Sequence, residues 1–402
     1  MYSSSFFIFM NSNELTIYIN RFLGDFLPIV PFIGVLLASQ GLSLSSVSLV
    51  FLALAVSVMV FELPAGILAD RISLKLVLVL SRIFKFLAFG VMLIEPSFYG
   101  FILGAVIWGL ASSLDSGTFQ SYVYCFTRET RGIEYFEKVY GRSMTASMVA
   151  LLASAGISSQ ITYLGFEGLQ IIGLLSLALC IVSTLLLKPV VKQNTADVLN
   201  ENEGFFKTFI DAWLYIKHRP VLLIVIVVGV LAGAIKGSLD EYTSLLLIDA
   251  GVTIAFAGYV LFGLELLKTS SGLFAPYIKL NPFQQILILS LLGAIFITIG
   301  WILSPLIACV GLAFIIMLDA ALWIHNDAHI QNTASDTNRS TVSSFKNLLI
   351  ESTSALLFGA VWVAGDFIAI SDLYWSLGTF LVISGIVLGI ILRNFCRSPK
   401  PI

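Results

Sequence analysis

Stretches of mostly apolar residues, each near the roughly 20 that cross a hydrocarbon core about 30 Å thick, recur along the whole chain. They fall near 15–39, 44–68, 75–95, 98–126, 140–162, 168–188, 220–247, 254–277, 283–303, 305–328, 342–365 and 370–393. Water is absent from hydrocarbon, so a backbone there must satisfy its own N–H and C=O groups, which a helix does. Charge is correspondingly scarce: 11% of residues are charged, against about 25% in an ordinary soluble domain. The spacing predicts an all-α polytopic membrane protein of twelve transmembrane helices, an even number that puts both termini on one side. A net charge of −2 offers no electrostatic footprint for nucleic acid, and none is expected as a partner. Cys125, Cys180, Cys309 and Cys396 are scattered without metal spacing or a disulfide framework. The opening MYSSSFFIFM lacks a basic n-region and a cleavage site, so no removable signal peptide is expected; Met10 is an alternative start.

The basic residues test this map. With the N-terminus in the cytoplasm, 18 of the 22 Lys and Arg belong to cytoplasmic loops and the tail, and only Arg21, Arg82, Lys85 and Lys236 are left within spans. The outer loops keep acids such as Glu95, Glu167 and Asp372. That is the positive-inside asymmetry of a bacterial inner (plasma) membrane protein with both termini cytoplasmic. Three regions follow: an N-terminal six-helix half over 1–188, a cytoplasmic linker over 189–219 and a C-terminal six-helix half over 220–402. Within the linker, FFKTFIDAWLYIKHR places Phe205, Phe206, Phe209, Ile210, Trp213 and Ile216 on one helical face, as in a helix lying in the membrane interface.

The halves echo one another. Gly66-Ile-Leu-Ala-Asp-Arg-Ile72 aligns with Gly272-Leu-Phe-Ala-Pro-Tyr-Ile278, Asp115 with Asp319, and Arg142 with Lys346. Spans one and seven each carry a basic residue followed four positions later by Asp, as Arg21/Asp25 and Lys236/Asp240. Such repeats are a mark of secondary transporters, whose substrate sites lie near the bilayer midplane.

The loop between spans two and three reads Gly66-Ile-Leu68-Ala69-Asp70-Arg71-Ile-Ser73-Leu74-Lys75-Leu-Val-Leu78. It resembles the G-x-L-a-D-r-x-G-r-K-x-x-l signature of the major facilitator superfamily, with Ser73 and Leu74 departing from the pattern. Glu62-Leu63-Pro64 just before it is similar to a Glu-(Leu/Ile)-Pro run of bacterial members, many of them drug-efflux proteins. The resemblance extends over essentially the whole chain. It implies the superfamily fold of two six-helix halves, a cavity lined by spans one, four, seven and ten, and a latch of the outward-facing state at Gly66, Asp70, Arg71 and Lys75. Two further family patterns are missing: span four, Trp108-Gly-Leu-Ala-Ser-Ser-Leu-Asp115-Ser-Gly117, has no Arg, and span five, around Ser147 to Gly156, has no Gly-Pro motif. Both absences weigh against antiport.

An ionisable group at mid-bilayer costs about 2.5–3.5 kcal/mol or more, and so faces a cavity or a partner. Arg21, Asp25, Asp115, Lys236, Asp240, Glu241 and Asp319 all fall on spans one, four, seven and ten. Arg21/Asp25 and Lys236/Asp240 have the spacing to neutralise one another. Asp115 and Asp319 have no basic neighbour in sequence, which makes them candidates for proton coupling or for a substrate cation. Glu62, two residues before a helix-breaking Pro64, is a second proton candidate or a structural brace. Arg82 and Lys85 are expected to snorkel toward the cytoplasm, and Glu265/Lys268 to pair. Trp108, Tyr122 and Trp323 either pack or line an apolar pocket.

His325-Asn-Asp-Ala-His329 has Asn where a zinc protease needs its Glu, so a solvated helix end is expected rather than a metal site. Neither enzymatic chemistry nor a cofactor is expected. The function read from sequence is proton-coupled secondary transport by a monomer in the lipid bilayer. It exports a small amphipathic compound: a drug, a toxin or a peptide-type antibiotic. The alternatives are a proton-coupled importer of a nutrient or siderophore-like solute, and a receptor on the same scaffold. The topology is open to a direct check. In otherwise cysteine-free protein in intact cells, a cysteine at Lys217 is expected to resist a membrane-impermeant maleimide and one at Glu167 to react; labelling at Lys217 would overturn the orientation.

Overall fold

The computed structural model describes residues 12–190, 213–274, 279–333 and 339–397. The residues 1–11, most of the linker up to 212 (with Phe205, Phe206, Phe209 and Ile210 of its apolar face) and the repeat segment 275–278 lie outside these. The described chain is helical throughout. Helices α1 (Ser12–Asp25), α2 (Ile33–Ser39), α3 (Leu44–Arg71), α4 (Leu74–Ile94), α5 (Phe98–Asp115), α6 (Thr118–Thr130), α7 (Phe136–Ser158) and α8 (Ile161–Leu186) precede the linker. After it come α9 (Pro220–Asp240), α10 (Thr243–Asp249), α11 (Ile254–Phe274), α12 (Pro282–Trp301), α13 (Pro305–Thr333), α14 (Arg339–Ala364) and α15 (Ile370–Arg397).

Among the described residues, ten helical rods are long and apolar enough to cross a membrane, each at a position expected from the sequence. Spans five and eight are occupied by α7 and α11, helices of 23 and 21 residues. Both are more polar: α7 through Arg142 and a run of serines, α11 through Glu265, Lys268 and the hydroxyls that follow. Large apolar side chains such as Ile94, Tyr163, Leu356 and Val363 are exposed, as a lipid-facing surface requires.

The chain forms two compact units, residues 1–194 with 254–262, and residues 195–253 with 263–402. The same packing order appears inside each. In the first unit, the first span (α1) packs on the fifth (α7) and the third (α4) on the sixth (α8). In the second unit, α9 packs on α14 and α12 on α15, again first on fifth and third on sixth. The sequence repeat is therefore a repeat of helix contacts. Glycines permit the closest crossings: a Cβ on Gly293 would stand 2.6 Å from the Gly378 carbonyl oxygen and one on Gly378 2.6 Å from that of Gly293, small-residue packing that bulky side chains exclude. Ile216 is buried among Leu222, Val225, Ile226 and Ile330, so the end of the linker is anchored in the second unit. Trp213 stays exposed.

Among the described residues, spans one, four and seven are broken beside an acid. Span one stops at Asp25 and resumes beyond Pro28, because proline cannot donate to the helix ladder. Span four breaks at Ser116-Gly117, with Ser116 out of helical geometry. Span seven tightens into a turn at Glu241-Tyr242. Freed backbone groups inside a membrane need partners, and α7 supplies them for span one. Ser154 Oγ accepts from the Leu27 N–H at 2.9 Å, and the Ser158 hydroxyl donates to the Pro28 carbonyl. In span seven, the Leu239 carbonyl accepts from the Tyr374 hydroxyl at 3.3 Å. Replacing both Ser154 and Ser158 by Ala is expected to destabilise the purified protein by about 1–3 kcal/mol per orphaned group. A thermal-unfolding midpoint unchanged from wild type would show that the break needs no such support.

Candidate functional site

Each break ends on an acid. Asp25, Asp115 and Asp240 are the last residues of α1, α5 and α9. A helix C-terminus already carries partial negative charge, so a carboxylate there calls for a cation.

In the first unit that demand gathers five ionisable groups. Arg21 Nε lies 3.1 Å from Asp25 Oδ2 along the same helix, and its terminal nitrogen bonds Asp115 Oδ2 at 3.0 Å. Arg82, from α4, approaches Asp115 Oδ1 to 2.7 Å. Lys85, one turn further on, donates to the Gly24 carbonyl at 2.7 Å and stands 3.6 Å from Asp25 Oδ1. The Ser147 hydroxyl of α7 donates to Asp25 Oδ2 at 2.6 Å. Ser147, Ser154 and Ser158 are seven and four residues apart, one face of a helix, so a single serine stripe serves both the break and the carboxylate. The Arg21 guanidinium also sits 5.1 Å from the centre of the Phe119 ring.

These contacts revise three sequence expectations. Asp115 has no basic neighbour in sequence, yet it is held between two guanidinium groups from other helices. Arg21/Asp25 is a real pair, but Arg21 divides itself between two acids. Arg82 does not snorkel: its side chain is 1% exposed, and Lys85 is turned to Gly24 and Asp25. The signal was available in the sequence. At about 1.5 Å per residue, Arg82 stands roughly 12 Å into a helix about 31 Å long, too deep to reach water.

The second unit repeats the wiring with fewer cations. Lys236 Nζ lies 2.6 Å from Asp240 Oδ2 and 3.8 Å from Asp319 Oδ2. Thus in both units a basic residue on the first span joins the Asp four residues later to the Asp of the fourth span. No third-span cation joins this pair, since α12 carries neither Lys nor Arg. Asp240 is 48% exposed and Asp319 17% exposed. Glu241, at the turn beside them, is half-buried.

The loop motif has its own local roles. Ser73, where the signature has Gly, caps α4 by accepting from the Leu76 N–H. Lys75 donates to the Leu185 carbonyl at 2.6 Å, satisfying the last turn of α8. Glu62, Gly66 and Asp70 line a cavity of about 240 Å³ together with Ser113, Ser116, Thr118 and Ser121. Arg71 ends α3.

The other residues singled out by the sequence make local contacts. Asn326 is buried, donating to the Val225 carbonyl at 2.7 Å and to Gln285 at 3.3 Å, and His325 Nδ1 bonds the Ala321 carbonyl. This helix end is part of the core rather than solvated along its length, and the described residues contain no cluster able to hold a metal. Tyr122 is fully buried, its hydroxyl donating to the Lys188 carbonyl, and Trp108 packs on Phe89. Lys346 lies 4.3 Å over the Trp323 ring and pairs with Asp327. Glu265 and Lys268 pair at 3.7 Å.

Ten long apolar helices with charged side chains paired at broken spans define an integral membrane protein. The chain belongs to the Major Facilitator Superfamily, whose family model matches residues 15–359, and it is a membrane transporter of that kind. It is 24% identical over 374 residues, 90% of each chain, to the uncharacterised MFS-type transporter YxaM of Bacillus subtilis (strain 168). Solved structures share the fold. One is the nucleoside transporter NupG, at 14% identity and a TM-score of 0.72, covering 97% of this chain and 100% of the other. A D-xylose-proton symporter matches at 12% identity and 0.70, covering 93% and 96%.

The clamp on Asp115 can be measured. Arg82→Gln takes a fully buried cation from the half-buried Asp115 carboxylate and is expected to cost about 3–5 kcal/mol, with much of that regained in Arg82→Gln/Asp115→Asn. Equal losses of thermal stability in the single and double variants would mean that Arg82 acts by packing alone.

Proposed function

We propose that the protein is a proton-coupled secondary transporter that exports a small amphipathic compound by alternating access. The observation that carries this reading is the second unit's charge shortage. Lys236 faces both Asp240 and Asp319, and one lysine cannot neutralise two carboxylates. A proton supplies the missing positive charge, and its release restores the deficit. Asp319, which shares Lys236 with Asp240, is the proton-carrying group in this reading, and Glu241, next in sequence to Asp240, is a further candidate. Asp115 and Asp25, each matched to cations in the first unit, serve its charge network instead. Glu62 stays a secondary candidate, because it opens onto the cavity beside Asp70.

Export is supported by the Glu62-Leu63-Pro64 run and its likeness to efflux members; a drug, a toxin or a peptide-type antibiotic is the fitting cargo. The loop basic residues support a plasma-membrane protein with both termini in the cytoplasm. Import is the second reading. A D-xylose-proton symporter shares the fold, and span five lacks the Gly-Pro motif of antiporters.

Everted vesicles holding the full chain test coupling and direction together. Substrate movement is expected to dissipate an imposed proton gradient, and Asp319→Asn to abolish that dissipation while solute exchange without a gradient persists. Unaltered coupling in Asp319→Asn would remove the proton from this site. Greater accumulation of the solute in cells expressing the protein would reverse the direction to import.

A further inference from the structure

The first unit's cluster is unbalanced in the opposite sense. Arg21, Arg82 and Lys85 bring three positive charges to Asp25 and Asp115, and among the described residues these two acids are the ion-pair partners of all three cations. One positive charge is left over inside the membrane, where an uncompensated ion is costly. The cluster also has spare donor capacity: the Nε of Arg21, like that of Arg82, is buried without a hydrogen-bond acceptor. Lys85 makes the longest of its ion pairs, 3.6 Å to Asp25, so it is the cation least committed to a protein carboxylate. The cluster is reachable, with Arg21 19% exposed and both acids similarly so. Apolar surface follows Arg21 along the chain: Phe22 and Phe26, stacked on one another and half-buried, stand at the end of α1 and just beyond it, while the Phe119 ring beneath the guanidinium is itself buried.

We propose that the transported solute is an amphipathic anion, and that its carboxylate or phosphate binds Arg21 and Lys85 as the missing counter-charge while its apolar body lies against the nearby phenylalanines. Arg82 is a positioning residue in this scheme, holding Asp115 so that Arg21 keeps a donor free. This rests on the transport reading and adds its substrate class: the anion goes to the positive unit, the proton to the negative one.

The test uses the purified full-length protein in nanodiscs with no gradient, read by the shift of its unfolding midpoint with ligand concentration. The probes are 3-phenylpropionate and 3-phenylpropyl phosphate, with neutral 3-phenylpropanol, cationic 3-phenylpropylamine and inorganic phosphate as controls. An amphipathic anion is expected to bind about tenfold or more tightly than any control, and the better of the two anions identifies the oxyanion. Lys85→Gln should weaken that anion about tenfold. Asp25→Asn, which raises the surplus to two charges, should tighten it, a gain that misfolding does not produce. Equal or tighter binding of the alcohol or amine, weaker anion binding in Asp25→Asn, or no anion shift at about 10 mM would overturn the proposal. Anion selectivity without proton coupling in vesicles would sink the coupling reading and leave this one standing.

Discussion

The carboxylate of Asp115, gripped by Arg21 from span one and Arg82 from span three, is the contact on which the first unit turns. In hydrocarbon a charge is stable only when another charge or a set of dipoles replaces its lost water. Three helices are thereby tied at one point, at a depth where apolar contacts between helices give no preference over contacts with lipid. Lys85 and Ser147 extend the knot to the carbonyl end of α1 and to span five.

The knot forms where the backbone is interrupted. Pro28 in span one and Ser116-Gly117 in span four end their helices on Asp25 and Asp115, and the turn in span seven follows Asp240. Each interruption exposes carbonyls that attract cations and N–H groups that need acceptors. The serine stripe of α7 and Tyr374 of α15 meet part of that need. The same physical deficit therefore stabilises the fold and creates a polar interior.

The duplicated unit has diverged in charge while keeping its wiring. Both units link a first-span base, the Asp four residues later and the fourth-span Asp. The first adds two third-span cations and becomes positive; the second adds none and stays negative.

Much of this was legible in the sequence. The spans, the superfamily loop, the repeat and the charged positions follow from residue type and spacing, because the bilayer imposes length and apolarity on each segment separately. Pairings between helices did not follow. Asp115 reads as unpaired because its partners are 94 and 33 positions away, Arg82 reads as a cation that snorkels out of its span, and nothing in the spacing assigns a role to Ser147, Ser154 and Ser158. Only tertiary structure decided those roles, since a buried charge is governed by what lies a few ångströms away in space, whichever part of the chain supplies it.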